Sequence, residues 1–175
     1  QVLGLISNGR RTLAVAGTNG KSTTTALLAS ILETSGTDPL VIIGASVIQW
    51  SGANYRAGNG DFVVEACEYQ KNFLLLQPVA AAITNITEDH LDFYGSFDAI
   101  EQAFVAFIRR LPQDGTLVYN VADVATRGAV MASGHSQTIP FSIYGQTTEA
   151  KLWANAIDQQ SSGTTFLCSY GNEVD

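Results

Sequence analysis

Gly17-Thr18-Asn19-Gly20-Lys21-Ser22 is the stretch whose reading decides the fold. An apolar run, Leu13-Ala14-Val15-Ala16, precedes it, and Thr23-Thr24-Thr25-Ala26-Leu27-Leu28-Ala29 follows. Strand, tight loop and helix start is the context that a phosphate-binding loop requires. Glycines let the backbone turn with its N–H groups pointing inward, and those groups attract an anion together with the helix N-terminus. Lys21 adds a mobile positive charge for outer phosphates, and the Ser22 hydroxyl can ligate magnesium. The general pattern G-x-x-x-x-G-K-[ST] would place its first glycine at position 15, where this chain has Val15; the nearest glycine is Gly17.

Outward from the loop, Leu13 to Ala16 reads as a central strand buried on both faces. Ser22 to Thr34 is a predicted helix with an inward stripe of Ala26, Leu27, Ser30 and Ile31, stopped at Gly36. Leu40 to Ile43 is a second strand. Val47 to Trp50 reads as a strand, Ser51 to Asn54 as a turn and Tyr55-Arg56 as a return strand. Phe62-Val63-Val64 is a strand ending in Glu65. Tyr69 to Leu76 is a short helix stopped before Pro78. Val79 to Thr84 is another buried strand, leading into Asn85-Ile86-Thr87-Glu88-Asp89-His90-Leu91-Asp92. Ser96 caps a helix to Arg110 whose stripe is Ala99, Ile100, Ala103, Phe104, Phe107 and Ile108. Thr116 to Tyr119 is a strand and Ala122 to Met131 a helix. Thr138 to Ile143, Lys151 to Ile157 and Thr164 to Tyr170 read as short strands of an antiparallel extension. The fold class expected is α/β: a P-loop type, mostly parallel sheet flanked by helices, with a C-terminal antiparallel strand extension.

The 175 residues fit one domain with a substantial core. The net charge of −7 argues against general nucleic-acid affinity. Two cysteines, Cys67 and Cys168, are too few for a disulfide framework and show no metal-ligand spacing. A reduced, cytoplasmic protein is the simplest account. No apolar run approaches the roughly 20 residues that span a bilayer, so no membrane insertion is expected.

Three segments should meet at the carboxyl ends of parallel strands, where such sheets bind ligands. They are Gly17 to Ser22, Glu65, and Asn85 to Asp92. Together they offer a phosphate cradle, a carboxylate for magnesium, and an Asp-His-Asp cluster. Neutral His90 can bind a metal or position a phosphate oxygen. Glu68 reads as a neighbour of the site rather than a ligand. Cys67 and Cys168 read as small buried apolar residues, and His135 as solvated. Trp50 and Trp153 read as packing residues, and Asn120 and Asp123 as helix caps.

At these residues the chain resembles the ATP-dependent Mur ligases of peptidoglycan synthesis, specifically their central ATPase domain. The match rests on Gly17 to Thr23, on Glu65-Ala66-Cys67-Glu68, and on Thr84 to Asp92, in the family's order. Val64 to Tyr69 with Phe73-Leu74 and Leu76-Gln77-Pro78 is most similar to the L-alanine-adding branch. Three positions depart from it: Asn19-Gly20-Lys21-Ser22 stands where that branch usually has His-Gly-Lys-Thr, and Cys67 where it commonly has Asp. Ser96 to Phe107 has no lysine, in keeping with that branch.

The resemblance implies a magnesium-dependent, ATP-driven amide ligase working through an acyl phosphate, with UDP-N-acetylmuramate and an amino acid as substrates. It implies a middle domain that stops before its closing helix, without the UDP-binding and C-terminal domains, so that the piece alone has little ligase activity. Residues Gly17, Thr18, Asn19, Gly20, Lys21, Ser22, Thr23 and Asn85 would bind nucleotide. Lys21 and His90 would be catalytic, and Ser22, Glu65 and His90 would hold metal. The rivals are another Mur-type ligase (D-glutamate-adding, tripeptide-recycling or folylpolyglutamate synthase-like) and a non-catalytic nucleotide-binding module.

Overall fold

A computed structural model describes residues 2–171, together with the backbone of 173–174. The strands are β1 (Thr12–Ala16), β2 (Leu40–Ile42), β3 (Tyr55–Arg56), β4 (Phe62–Glu65), β5 (Ala80–Ile83), β6 (Thr116–Asn120), β7 (Thr138–Ser142), β8 (Leu152–Gln160), β9 (Gly163–Tyr170) and β10 (Glu173–Val174). They form one sheet in the order β10-β9-β8-β7-β6-β5-β1-β4-β2-β3. Every neighbour pair from β2 to β8 is parallel, and only the β3 edge and the β8–β9–β10 end are antiparallel. The expected mostly parallel sheet with an antiparallel C-terminal extension is therefore present. Its boundary differs: Thr138 to Ser142 pairs in parallel on both sides and belongs to the main sheet.

The helices are α1 (Val2–Asn8), α2 (Lys21–Thr34), α3 (Leu91–Tyr94), α4 (Phe97–Ile108) and α5 (Val124–Ser133). Period-two alternation sorts the strand side chains between the two faces. Phe62 and Val64 join one core with Ala14, Ala16 and α4, while Val63 turns to the other, beneath α2. On the first face Phe73 stacks on Phe107, with centroids 4.8 Å apart, and meets Phe104 edge-on at 5.3 Å. Ser96 caps α4 by accepting from Ala99 N, and the predicted stripe is buried from Ile100 to Ile108.

Several sequence expectations fail locally. The buried face of α2 is Thr25 and Ala29, flanked by Leu28 and Leu32, while Leu27 and Ile31 are exposed. Small residues let this helix lie close over β1 and β4, and Thr25 Oγ1 satisfies itself on Lys21 O at 2.7 Å. Val47 to Trp50 is a 3-10 turn from Ile48 rather than a strand. Cys67 and Cys168 are both exposed rather than buried. His135 is not freely solvated, because its Nε2 lies 2.7 Å from Gly115 O. Helix α1 has no counterpart in the sequence reading.

Asp123 does more than cap α5. Its Oδ1 accepts from Thr126 N at 2.8 Å and from Ile86 N at 3.1 Å, tying the segment after β5 to the next strand–helix unit. Asp123→Ala should cost about 2 kcal/mol, measured by urea denaturation, because both a cap and a cross-link are lost.

Candidate functional site

β1 lies between β4 and β5, with Val15 in register with Glu65 and Ala16 with Ile83. The three sequence-predicted segments therefore leave the sheet side by side at its carboxyl edge. Gly17 has φ +131°, and a Cβ there would collide with Thr84 Oγ1 and lie 3.0 Å from Asn85 O. Only glycine accepts both the dihedral and the approach. Thr18 N donates to Asn85 O at 2.8 Å, and Asn19 N to Asn85 Oδ1 at 3.0 Å. Asn85 Nδ2 donates back to Asn19 O at 3.1 Å. Asn85 thus braces the loop with its side-chain amide. Gly20, φ +82°, turns the chain into α2. The amides at the start of α2, around Lys21, Ser22 and Thr23, have no intrahelical acceptor and face outward as an anion-attracting cap.

Ser22 Oγ donates to Glu65 Oε2 at 2.8 Å, and Gly44 N donates to the same oxygen at 2.6 Å. A hydroxyl and a carboxylate of this kind are hard oxygen donors that suit magnesium, so the residues present fit that ion. Beside Ser22, a cavity of about 330 Å³ opens between α2 and residues 43–49, lined by Thr23, Ala26, Ile43, Ala45 and Val47.

Lys21 Nζ turns inward. It donates to Gly17 O at 2.7 Å, to Thr18 O at 3.0 Å and to Glu68 Oε1 at 3.2 Å. Glu68 is only 2% exposed. It is the residue that sequence reasoning set aside as a bystander. Its tie to the site is the contact with Lys21, 47 residues away, which no local pattern announces. The Tyr94 hydroxyl fixes the turn after β4 by donating to Glu68 O at 2.5 Å. Ligand atoms of Glu68, Asp89 and His90 all lie within 4.8 Å of one another. His90 therefore groups with Glu68 and with Asp89, its expected neighbour in the Asp-His-Asp segment. Its ring also packs on Tyr69, with centroids 4.7 Å apart.

The Mur ligase middle-domain profile matches residues 15–174. A UDP-N-acetylmuramate–L-alanine ligase of Syntrophotalea carbinolica is 38% identical over 162 residues, covering 92% of this chain and 34% of that protein. One from Burkholderia vietnamiensis is 43% identical over 161 residues, covering 88% and 32%. The chain thus spans about a third of the length of these curated relatives. Among solved structures, a UDP-N-acetylmuramate–alanine ligase from Thermotoga maritima superposes with a TM-score of 0.79 at 25% identity, covering 97% of this chain and 36% of that one. The fold also matches a UDP-N-acetylmuramate:L-alanyl-gamma-D-glutamyl-meso-diaminopimelate ligase from Neisseria meningitides, with a TM-score of 0.84 at 24% identity, covering 99% and 56%.

Two outcomes follow from this geometry. Gly17→Ala should destabilise the chain by about 2–3 kcal/mol, since both strain and a clash must be relieved; thermal unfolding monitored by circular dichroism measures it. Burial pushes the Tyr94 phenol from its ordinary value near 10 up to about 12. The folded state thus keeps a proton that the unfolded chain releases earlier. The resulting stabilisation is complete below about pH 10 and is lost as pH rises through about 12. Urea denaturation across that window should show the loss in the parent chain, and Tyr94→Phe should lack that component.

Proposed function

The chain belongs to the Mur ligase family, as its middle domain, and from that premise we propose that it is the ATP-binding part of a ligase joining L-alanine to UDP-N-acetylmuramate. One observation carries this reading. Lys21, the Ser22–Glu65 pair and the open start of α2 lie together beside a loop that only glycine can form, in a chain 38–43% identical to such ligases. ATP and magnesium are the groups this chemistry calls for, the acceptor and amino-acid sites are assigned to other parts of a longer protein, and the cytoplasm is the compartment that fits those substrates. No helix among the described residues is long and apolar enough to cross a membrane.

The reaction brings two anions together. The substrate carboxylate attacks the γ-phosphorus, ADP departs, and an acyl phosphate forms. The amine of the amino acid then attacks the acyl carbon and inorganic phosphate leaves. Charge neutralisation is the dominant task of the first step. The Lys21 ammonium would move to the β- and γ-phosphates, and the amides from Gly20 to Thr23 would receive their oxygens. Thr18, Asn19 and Asn85 would act mainly by keeping the loop in shape, since their mutual hydrogen bonds already occupy the relevant groups. Magnesium, when bound, would neutralise phosphate charge; Ser22 Oγ and Glu65 would hold one ion, and His90 with its neighbouring carboxylates a second. His90 would also hold an oxygen of the transferring phosphate in place.

Mass spectrometry of products from the full-length enzyme, supplied with UDP-N-acetylmuramate, ATP and each candidate amino acid, tests the reading. The L-alanine adduct is expected. Lys21→Ala should lower turnover about a thousandfold in a protein that still folds. A different adduct, phosphate release without an amide, or an active Lys21→Ala enzyme would replace the reading. The 175-residue chain by itself should bind ATP and form little amide.

A further inference from the structure

The Lys21 ammonium is held by the loop's own carbonyls and by a buried carboxylate. It donates to two loop carbonyls and to Glu68 Oε1, and Glu68 Oε2 lies 3.0 Å from it in ionic contact. The side chains of Lys21 and Glu68 are 11% and 2% exposed. Glu68 Oε2 accepts no hydrogen bond among the described residues, and a carboxylate oxygen of Glu68 lies within 4.8 Å of ligand atoms of Asp89 and His90. The backbone of Glu68 cannot easily follow a moving lysine, because its carbonyl receives both Tyr94 Oη at 2.5 Å and Lys71 N at 2.9 Å. A buried carboxylate with one resident cation, held in place on its main-chain side, is poised to need a replacement when that cation leaves.

We propose that Glu68 is a positioning residue for Lys21. It holds the ammonium inward while the loop carries no nucleotide. Outer phosphates take the ammonium over, and the Glu68 carboxylate is left beside Asp89 and His90 needing a divalent cation as its new counter-ion. Nucleotide and cation then strengthen one another's binding reciprocally, because each removes the charge imbalance that the other creates. No bond is made or broken in this exchange. The inference rests on the ATP-binding reading above and adds to it a residue and an order of events: lysine and divalent cation alternate as partners of one carboxylate.

Isothermal titration calorimetry of the 175-residue chain with ATP, in EDTA and then in magnesium, tests it. Glu68→Gln removes the competitor for Lys21. Metal-free ATP should therefore bind about tenfold more tightly than to the parent chain, and the gain from magnesium should shrink by a similar factor. A residue that merely supports the fold or the nucleotide would move metal-free affinity the other way. Unchanged or weakened metal-free binding in a folded Glu68→Gln chain overturns the proposal. Lys21→Met provides a second readout that uses no nucleotide. With the ammonium gone, Mn²⁺ alone should bind about tenfold more tightly, seen by electron paramagnetic resonance, and adding Glu68→Gln should cancel the gain. If Glu68→Gln does not fold, the Mn²⁺ result for Lys21→Met decides, and no gain there overturns the proposal. A parent chain that binds no ATP even with magnesium would sink the ATP-binding reading itself. ATP binding by the parent chain with no such response to Glu68→Gln would sink only the exchange.

Discussion

Parallel pairing of β1 with both of its neighbours is the constraint from which the site follows. Three segments far apart in the chain must emerge at one edge of the sheet, because parallel strands that share a register also share an end. The ladder even runs past the strands: Ala66 N reaches Val15 O, Thr84 N reaches Ala16 O, and Thr18 N reaches Asn85 O. Each of these bonds fixes a segment that carries a functional group. The close approach they enforce is what excludes a side chain at position 17. Backbone pairing thus sets the distances among Lys21, Ser22, Glu65 and the segment up to His90, and side chains only complete what the sheet has already arranged.

The electrostatics of the assembled edge would be puzzling for a phosphate site if the loop stood alone. Glu65, Glu68 and Asp89 bring three carboxylates to the place where Lys21 sits, in a chain whose net charge is −7. A polyphosphate would be repelled unless positive charge came with it. Main-chain amides supply part of that charge at the start of α2, without a side chain and without net charge. On the ATP-binding proposal, divalent cations would supply the rest. Under that proposal the acidic surroundings would favour a metal–nucleotide complex over the bare nucleotide, a preference that a loop richer in lysine and arginine would not show.

Much of this was legible in the sequence because its signals are local. A run of four apolar residues, a glycine turn and a lysine–serine pair can be read within ten positions, and so can the Ser96 cap and the stripe of α4. Signals that depend on what packs opposite were read badly. In α2 the large apolar residues Leu27 and Ile31 looked inward, yet Thr25 and Ala29 face the sheet. Closeness to β1 and β4 favours small side chains there, a requirement that no periodicity expresses. Glu68 was undervalued for a related reason. A carboxylate is assumed to be exposed unless paired, and its partner is 47 residues away. The grouping of His90 with Glu68 likewise depends on the turn after β4, which carries two successive left-handed residues, Gln70 and Lys71.

Gln70 and Lys71 have φ of 53° and 57°, and His90 has φ of 52°. None is glycine, and each conformation costs on the order of 1 kcal/mol or more. Such strain persists only where surrounding contacts over-determine it. Here the two strained segments meet: Tyr69 lies against the His90 ring, and Tyr94, just beyond His90, bonds to the carbonyl of Glu68. Relaxing either turn would part those contacts and withdraw Glu68 or His90 from the other. The strain is therefore balanced by the same interactions that hold a carboxylate and an imidazole together.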